Sequence, residues 1–172
     1  MYLAGELDLL GSKVPTSVLP RYRKEKHPEL KESAYLGVYF YMINCADPVL
    51  KDLRIRRALN LAIDKEKIGD FVAKGGQQAA DSIVHPALGD LGYPKIEGPE
   101  FDPDEARKLL AEAGYPEGKG FPRLKVSYNT LEAHKQIAEF VQAQWKKTLG
   151  IEADLDNMEW KVLIRKQREK DY

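Results

Sequence analysis

The chain holds a single cysteine among 172 residues. With no second thiol, Cys45 cannot close an internal disulfide, so a disulfide-stapled scaffold is excluded and the redox compartment stays open. A charge excess is missing as well. Lys and Arg total 27 against 27 Asp and Glu, for a formal net charge of zero. Nucleic-acid binders carry a basic surplus or patch to neutralise phosphates, so this balance argues against nucleic acid as a partner. Long apolar runs are lacking too. The longest stretch, Leu36 to Ile43, is strand-sized and falls far short of the ~18 residues that mark a membrane span. No basic segment followed by an apolar stretch opens the chain, so nothing reads as a signal peptide. There is no internal repeat and no low-complexity segment. Gly-x-Ser-x-Gly, His-Glu-x-x-His, a Walker loop and a Cys/His cluster are all absent, so no catalytic constellation and no cofactor are read from the sequence.

What is present suits a folded unit. Hydrophobic residues make up 43% and charged residues 31%, and the length is sufficient for one domain with a real core. The clearest local signal is Phe101-Asp-Pro-Asp-Glu-Ala-Arg-Lys-Leu-Leu-Ala-Glu-Ala-Gly-Tyr-Pro116. Asp102 can cap the first turn, Pro103 suits the first helical position, and Glu105 completes a capping-box pattern. Ala106, Leu109, Leu110 and Ala113 recur at helical spacing and form an apolar face. Gly114 can take the left-handed position that ends a helix, and Pro116 blocks continuation.

Elsewhere the pattern predicts alternating elements. A helix is expected over 14–26, begun by Pro15 and Thr16 and interrupted near Pro20. The β-branched and aromatic residues of 33–43 predict a strand. Asp52 should cap a helix to Ile63, with Ile55, Ala58, Leu59 and Ala62 inward. Asp64 should cap a second helix to Lys74, ended by Gly75-Gly76. Residues 77–85 read as extended and 86–99 as a Gly/Pro-rich loop. A strand over 124–128, a long helix over 131–149 capped by Thr130, and a strand over 151–155 form a strand–helix–strand unit, which favours parallel pairing. A last helix starts at Met158. The expected class is α/β.

Most polar residues have an ordinary structural reading. Asp47, Asp52 and Asp64 lie at turns or caps. Glu97, Glu100, Asp102 and Asp104 lie in a solvated loop and a helix start. Arg54, Arg56 and Arg57 punctuate an amphipathic helix, where surface ion pairs contribute about 0–1 kcal/mol each. Cys45 has no base near it in sequence and reads as an incidental thiol. His27 and His85 each precede a proline and read as solvated or loop residues. Trp145 sits at core spacing.

The wording of several segments resembles a known family. Asn44-Cys-Ala-Asp-Pro-Val-Leu-Lys-Asp-Leu-Arg-Ile-Arg-Arg-Ala-Leu-Asn-Leu-Ala-Ile-Asp-Lys-Glu-Lys-Ile68 is the most telling run. It is flanked by Ala4-Gly-Glu-Leu-Asp8, the capped helix, Tyr128-Asn-Thr130 with His134, Trp145-Lys-Lys-x-Leu-Gly-Ile151, and Glu159-Trp160. In that order they are similar to the extracellular, or periplasmic, solute-binding proteins of family 5, which serve oligopeptide and dipeptide ABC transporters.

The resemblance implies one lobe of a two-lobe periplasmic-binding-protein-like fold, with a mixed sheet and flanking helices. The chain is expected to be a single domain over 1–172, a truncated second, C-terminal lobe containing the unit at 124–155. It implies capture of a peptide ligand by hinge closure between lobes, delivery to a membrane ABC permease, and a periplasmic or extracellular, lipid-anchored parent protein. The missing first lobe would supply the other cleft wall, so weak binding by this chain alone is expected. The ligand-binding residues implied are Tyr128, Asn129, His134, Glu159 and Trp160, with Tyr39 facing the ligand or the other lobe. Relatives that bind nickel chelates or oligosaccharides keep another solute open. A stand-alone interaction module and, least favoured, an enzyme are the other classes.

Overall fold

A computed structural model describes the chain except Met1, Ser12, Lys13, Thr16, Ala34, Asp81 and the side chain of Phe71. Among the described residues the α-helices are α1 (Leu19–Lys24), α2 (Leu53–Leu61), α3 (Lys65–Lys67), α4 (Pro103–Glu112), α5 (Glu132–Leu149) and α6 (Trp160–Glu169). Its two described strands are β1 (Leu124–Asn129) and β2 (Ala153–Met158). They pair in parallel, with Leu124 opposite Ala153 and Asn129 opposite Met158. The expected strand–helix–strand unit is therefore present. Its second strand starts two residues later than predicted, because the Ile151 N–H still closes the end of α5 by donating to the Trp145 carbonyl.

The core lies where α2, α4 and α5 meet the sheet. Ile55, Ala58 and Leu59 of α2 pack with Ala106 and Leu110 of α4, and with Ile137, Ala138, Val141, Trp145 and Leu149 of α5. Val126 and Tyr128 of β1, with Ile151 and Ala153, complete it. The helical faces read from the sequence are the faces buried. Each large aliphatic side chain so placed contributes roughly 1.5–3 kcal/mol of burial. Trp145 is core, and its indole N–H donates to the Leu59 carbonyl at 2.9 Å.

Capping chemistry sets the helix ends. Asp52 accepts from the Arg54 N–H at 2.8 Å, and Asp64 accepts from the Lys67 N–H at 3.2 Å. Asp47 holds a turn by accepting from the Val49 and Leu50 N–H groups. Asp102 accepts from both the Asp104 and Glu105 N–H groups, at 3.1 and 3.0 Å. The reciprocal half of the expected capping box is not made. The Asp102 N–H donates to the Leu61 carbonyl, and Glu105 pairs with Lys108 instead. Gly114 takes φ +98° after α4, as the helix-ending pattern requires.

Several expectations are corrected. The described part of the 14–26 helix forms only over α1, with Pro20 in its first turn rather than as an interruption; Thr16 lies outside the described residues. The described residues of 33–43 form no strand. A strand is held by ladder hydrogen bonds, and among the described residues no strand pairs with this stretch, so its propensity goes unused; Ala34 lies outside the described residues. The helix after Asp64 turns from α to π geometry over Ile68–Ala73 and ends on Lys74 in the left-handed conformation, ahead of Gly75-Gly76. Gly69 in that stretch faces the Gln77 carbonyl, where a Cβ would come within 2.5 Å. Pro86–Leu91, expected as loop, is a 3-10 helix capped by the His85 ring nitrogen. Thr130 does not cap α5. Leu131 occupies that position without a side-chain cap, because the Thr130 hydroxyl is drawn to β2.

Candidate ligand site at the carboxyl edge of the sheet

Parallel strands present their carboxyl ends as a crevice from which loops and helices depart, the usual ligand position in open α/β sheets. Here β1 ends at Asn129 and β2 at Met158, side by side. The edge is stitched just beyond. The Thr130 N–H donates to the Met158 carbonyl at 2.9 Å, and the Thr130 hydroxyl donates to Asn157 Oδ1 at 2.9 Å. These bonds fix the directions in which α5 and α6 leave the sheet.

Of the residues predicted for a site, Tyr39 and His134 are brought into contact. His134 lies in the first turn of α5, half-buried, and its ring centroid is 5.4 Å from that of Tyr39 at 42°. Tyr41 meets Tyr39 edge-on at 6.0 Å. The Tyr41 hydroxyl is buried with no hydrogen-bond partner among the described residues. Burial, reinforced by the neighbouring Tyr39, pushes its ionisation well above the ordinary tyrosine range. Burial raises that of Tyr39 as well. The result is an uncharged aromatic wall with one imidazole at its rim.

Asn129 is half-buried at the end of β1. Tyr128 is buried among the core residues and forms the floor rather than an accessible lining. Glu159 uses a carboxylate oxygen to accept from the Lys161 N–H at 2.8 Å, capping α6. Trp160, directly after it, is 56% exposed. Trp160 and His134 make no ring contact among the described residues, so the predicted residues fall into two groups along one edge. Reading from the sequence passed over Ile164, Arg165 and Arg168 of α6, which line a hollow with Trp160. Their spacing of four, five and eight residues from Trp160 was the available signal.

Cys45 is exposed, with Sγ 3.6 Å from the Ile43 carbonyl oxygen. Among the described residues no group of three or more His, Cys, Asp or Glu is arranged to hold a metal ion. Among them, too, no helix is long and apolar enough to cross a membrane.

This is an α/β lobe whose parallel strands end side by side at one edge. Residues 1–172 match the family described as "Bacterial extracellular solute-binding proteins, family 5 Middle". The chain belongs to that family. It is 36% identical over 179 aligned residues to the oligopeptide-binding protein OppA of Bacillus subtilis, covering 99% of this chain and 32% of that protein. Among solved structures, the murein tripeptide-binding protein MppA of Escherichia coli superposes with a TM-score of 0.88 at 29% identity, covering 99% of this chain and 34% of that one. OppA of Haemophilus influenzae, solved with the peptide RPPGFSPFR, gives a TM-score of 0.83 at 33% identity, with coverage of 99% and 34%. The chain thus spans about a third of the length of the relatives it matches.

Proposed function

We propose that this chain is part of the substrate-binding component of a peptide ABC importer, and that it provides one wall of an interlobe cleft. The observation that most supports this is the contact of Tyr39 with His134 beside the carboxyl ends of the β1–β2 pair, from which Asn129 and Trp160 also depart, in a family 5 chain. Residues 1–172 act as one unit, the larger part of a second lobe. Hinge closure of a first lobe over an extended peptide would complete the site. Backbone hydrogen bonds along the peptide would give affinity with little sequence preference, and the closed complex would be read by a membrane permease. The place of action is the periplasm or the cell exterior, with lipid anchoring in the parent protein. The role is capture rather than catalysis.

Calorimetric titration of the chain with short peptides tests this reading. Weak heats that saturate only at high peptide concentration are expected, because one wall offers a fraction of the contact surface. Submicromolar binding would contradict the one-wall account.

A second reading, an assembly module, has one observation in its favour. Tyr35, Leu36, Tyr39, Phe40 and Met42 lie exposed along a stretch that, among the described residues, pairs with no strand. Such an uncharged run can pair with another chain. Light scattering that gives a dimer mass across dilution would support it.

A further inference from the structure

The outward face of α6 combines an aromatic side chain with unneutralised positive charge. Trp160, Ile164 and Arg168 follow one another at four-residue intervals and so share a stripe. Lys161 and Arg165 form the neighbouring stripe. Together with Glu169 these residues line a shallow, open hollow on the face of this one helix. Among the described residues, none of Lys161, Arg165 and Arg168 makes an ion pair, whereas Lys166 on the inner side of the same helix lies 3.9 Å from Asp156 and 3.7 Å from Asp171. Among the described residues Glu169 is the one carboxylate lining the hollow, so it carries three cations against one anion.

The free N–H groups at the start of α6 are partly taken by Glu159, so attraction for an anion comes from the three side chains. Two of them are guanidiniums, whose planar donor forks match carboxylates in two-point contact. The exposed indole supplies apolar area and a ring face beside them. We propose that this face selects acidic peptide segments, with Arg165 and Arg168 taking carboxylate side chains and Trp160 with Ile164 taking an adjoining apolar one. The inference rests on the peptide-binding reading and adds charge selection to it.

The test uses the intrinsic fluorescence of Trp160, with buried Trp145 as an internal constant signal. The peptides Glu-Leu-Glu and Lys-Leu-Lys, which lack aromatic groups, are titrated to millimolar concentration at low and at physiological salt. Glu-Leu-Glu should bind about tenfold more tightly, with the difference shrinking as salt rises, because exposed charges are screened. Arg165→Glu with Arg168→Glu, both on the exposed surface, should reverse the order. Equal affinities would overturn charge selection while leaving peptide capture intact. No response to either peptide would overturn both readings. Binding to phosphatidylglycerol vesicles without a peptide response would make the face a membrane contact and overturn the proposal.

Discussion

The indole N–H of Trp145 donates to the carbonyl of Leu59 across 86 residues of sequence, at 2.9 Å and fully inside the core. Leu59 lies in the last turn of α2, where carbonyls run out of helical partners. The Ile63 N–H, four residues on, donates to Asn60. Trp145 therefore closes the end of α2 from α5. Trp145→Phe keeps most of the apolar volume and leaves the Leu59 carbonyl without this donor. The expected cost is about 1–3 kcal/mol, read as a lower urea midpoint with an unchanged slope.

Gly150 and Gly114 both follow helices with positive φ, +71° and +98°, and predict different outcomes on substitution. A Cβ on Gly114 meets open space, so Gly114→Ala should cost about 1–2 kcal/mol, the left-handed penalty alone. A Cβ on Gly150 would run into the Glu117 carbonyl oxygen, and one on Gly118 would come within 2.6 Å of the Leu149 oxygen. The two backbones cross at this pair. Gly150→Ala should therefore lower the thermal midpoint clearly more than Gly114→Ala.

The Tyr41 hydroxyl predicts an unusual response to a conservative change. Among the described residues it is buried without a partner of good hydrogen-bond geometry, so Tyr41→Phe removes a desolvated polar group and should be neutral or mildly stabilising, within about 1 kcal/mol. Ionisation of Tyr41 is raised in the fold, chiefly by burial. Its contribution is therefore complete below the ordinary tyrosine pKa and lost as pH rises above it. Alkaline unfolding curves of Tyr41→Phe should lie above those of the unsubstituted chain at high pH and merge with them near neutrality.

Asp52 sets an acid-side dependence of the opposite sign. Its bond to the Arg54 guanidinium, helped by the Arg54 N–H, holds its carboxyl below the usual carboxylate range. The stabilisation is present above the unfolded pKa and lost as pH falls through the lower, folded one. Asp52→Asn should flatten the acid branch of a plot of melting temperature against pH, with little change in its alkaline branch.

Short-range chemistry was legible in the sequence. Asp102 and Gly114 bound α4 and Asp52 starts α2, because each depends on residues a few positions apart, and the strand–helix–strand order from Leu124 follows from the local pattern of its elements and the usual parallel pairing of such a unit. The stretch 33–43 was misread because propensity proposes a strand but only a neighbouring strand secures one. Thr130 was misassigned as a cap because its hydroxyl has a better partner in Asn157, 27 residues away. In the site, Tyr39 and His134 were both named from the sequence, but their ring contact is tertiary and visible only in the fold. Tyr128 was named for its neighbours, and its inward direction follows from strand alternation that places it with Val126 in the core. The α6 cations carry no motif of their own, and only helical spacing from Trp160 links Arg165 and Arg168 to it.

On the reading proposed above, the carboxyl edge of β1 and β2 receives peptide. The most direct test is an amide-correlation NMR titration with a pool of short peptides at millimolar concentration. The account predicts shifts at the Trp160 indole, the Asn129 side-chain amide, the Tyr39 backbone and the first turn of α5, with the Trp145 indole unmoved. An unchanged spectrum, or shifts confined to surfaces away from this edge, would contradict it.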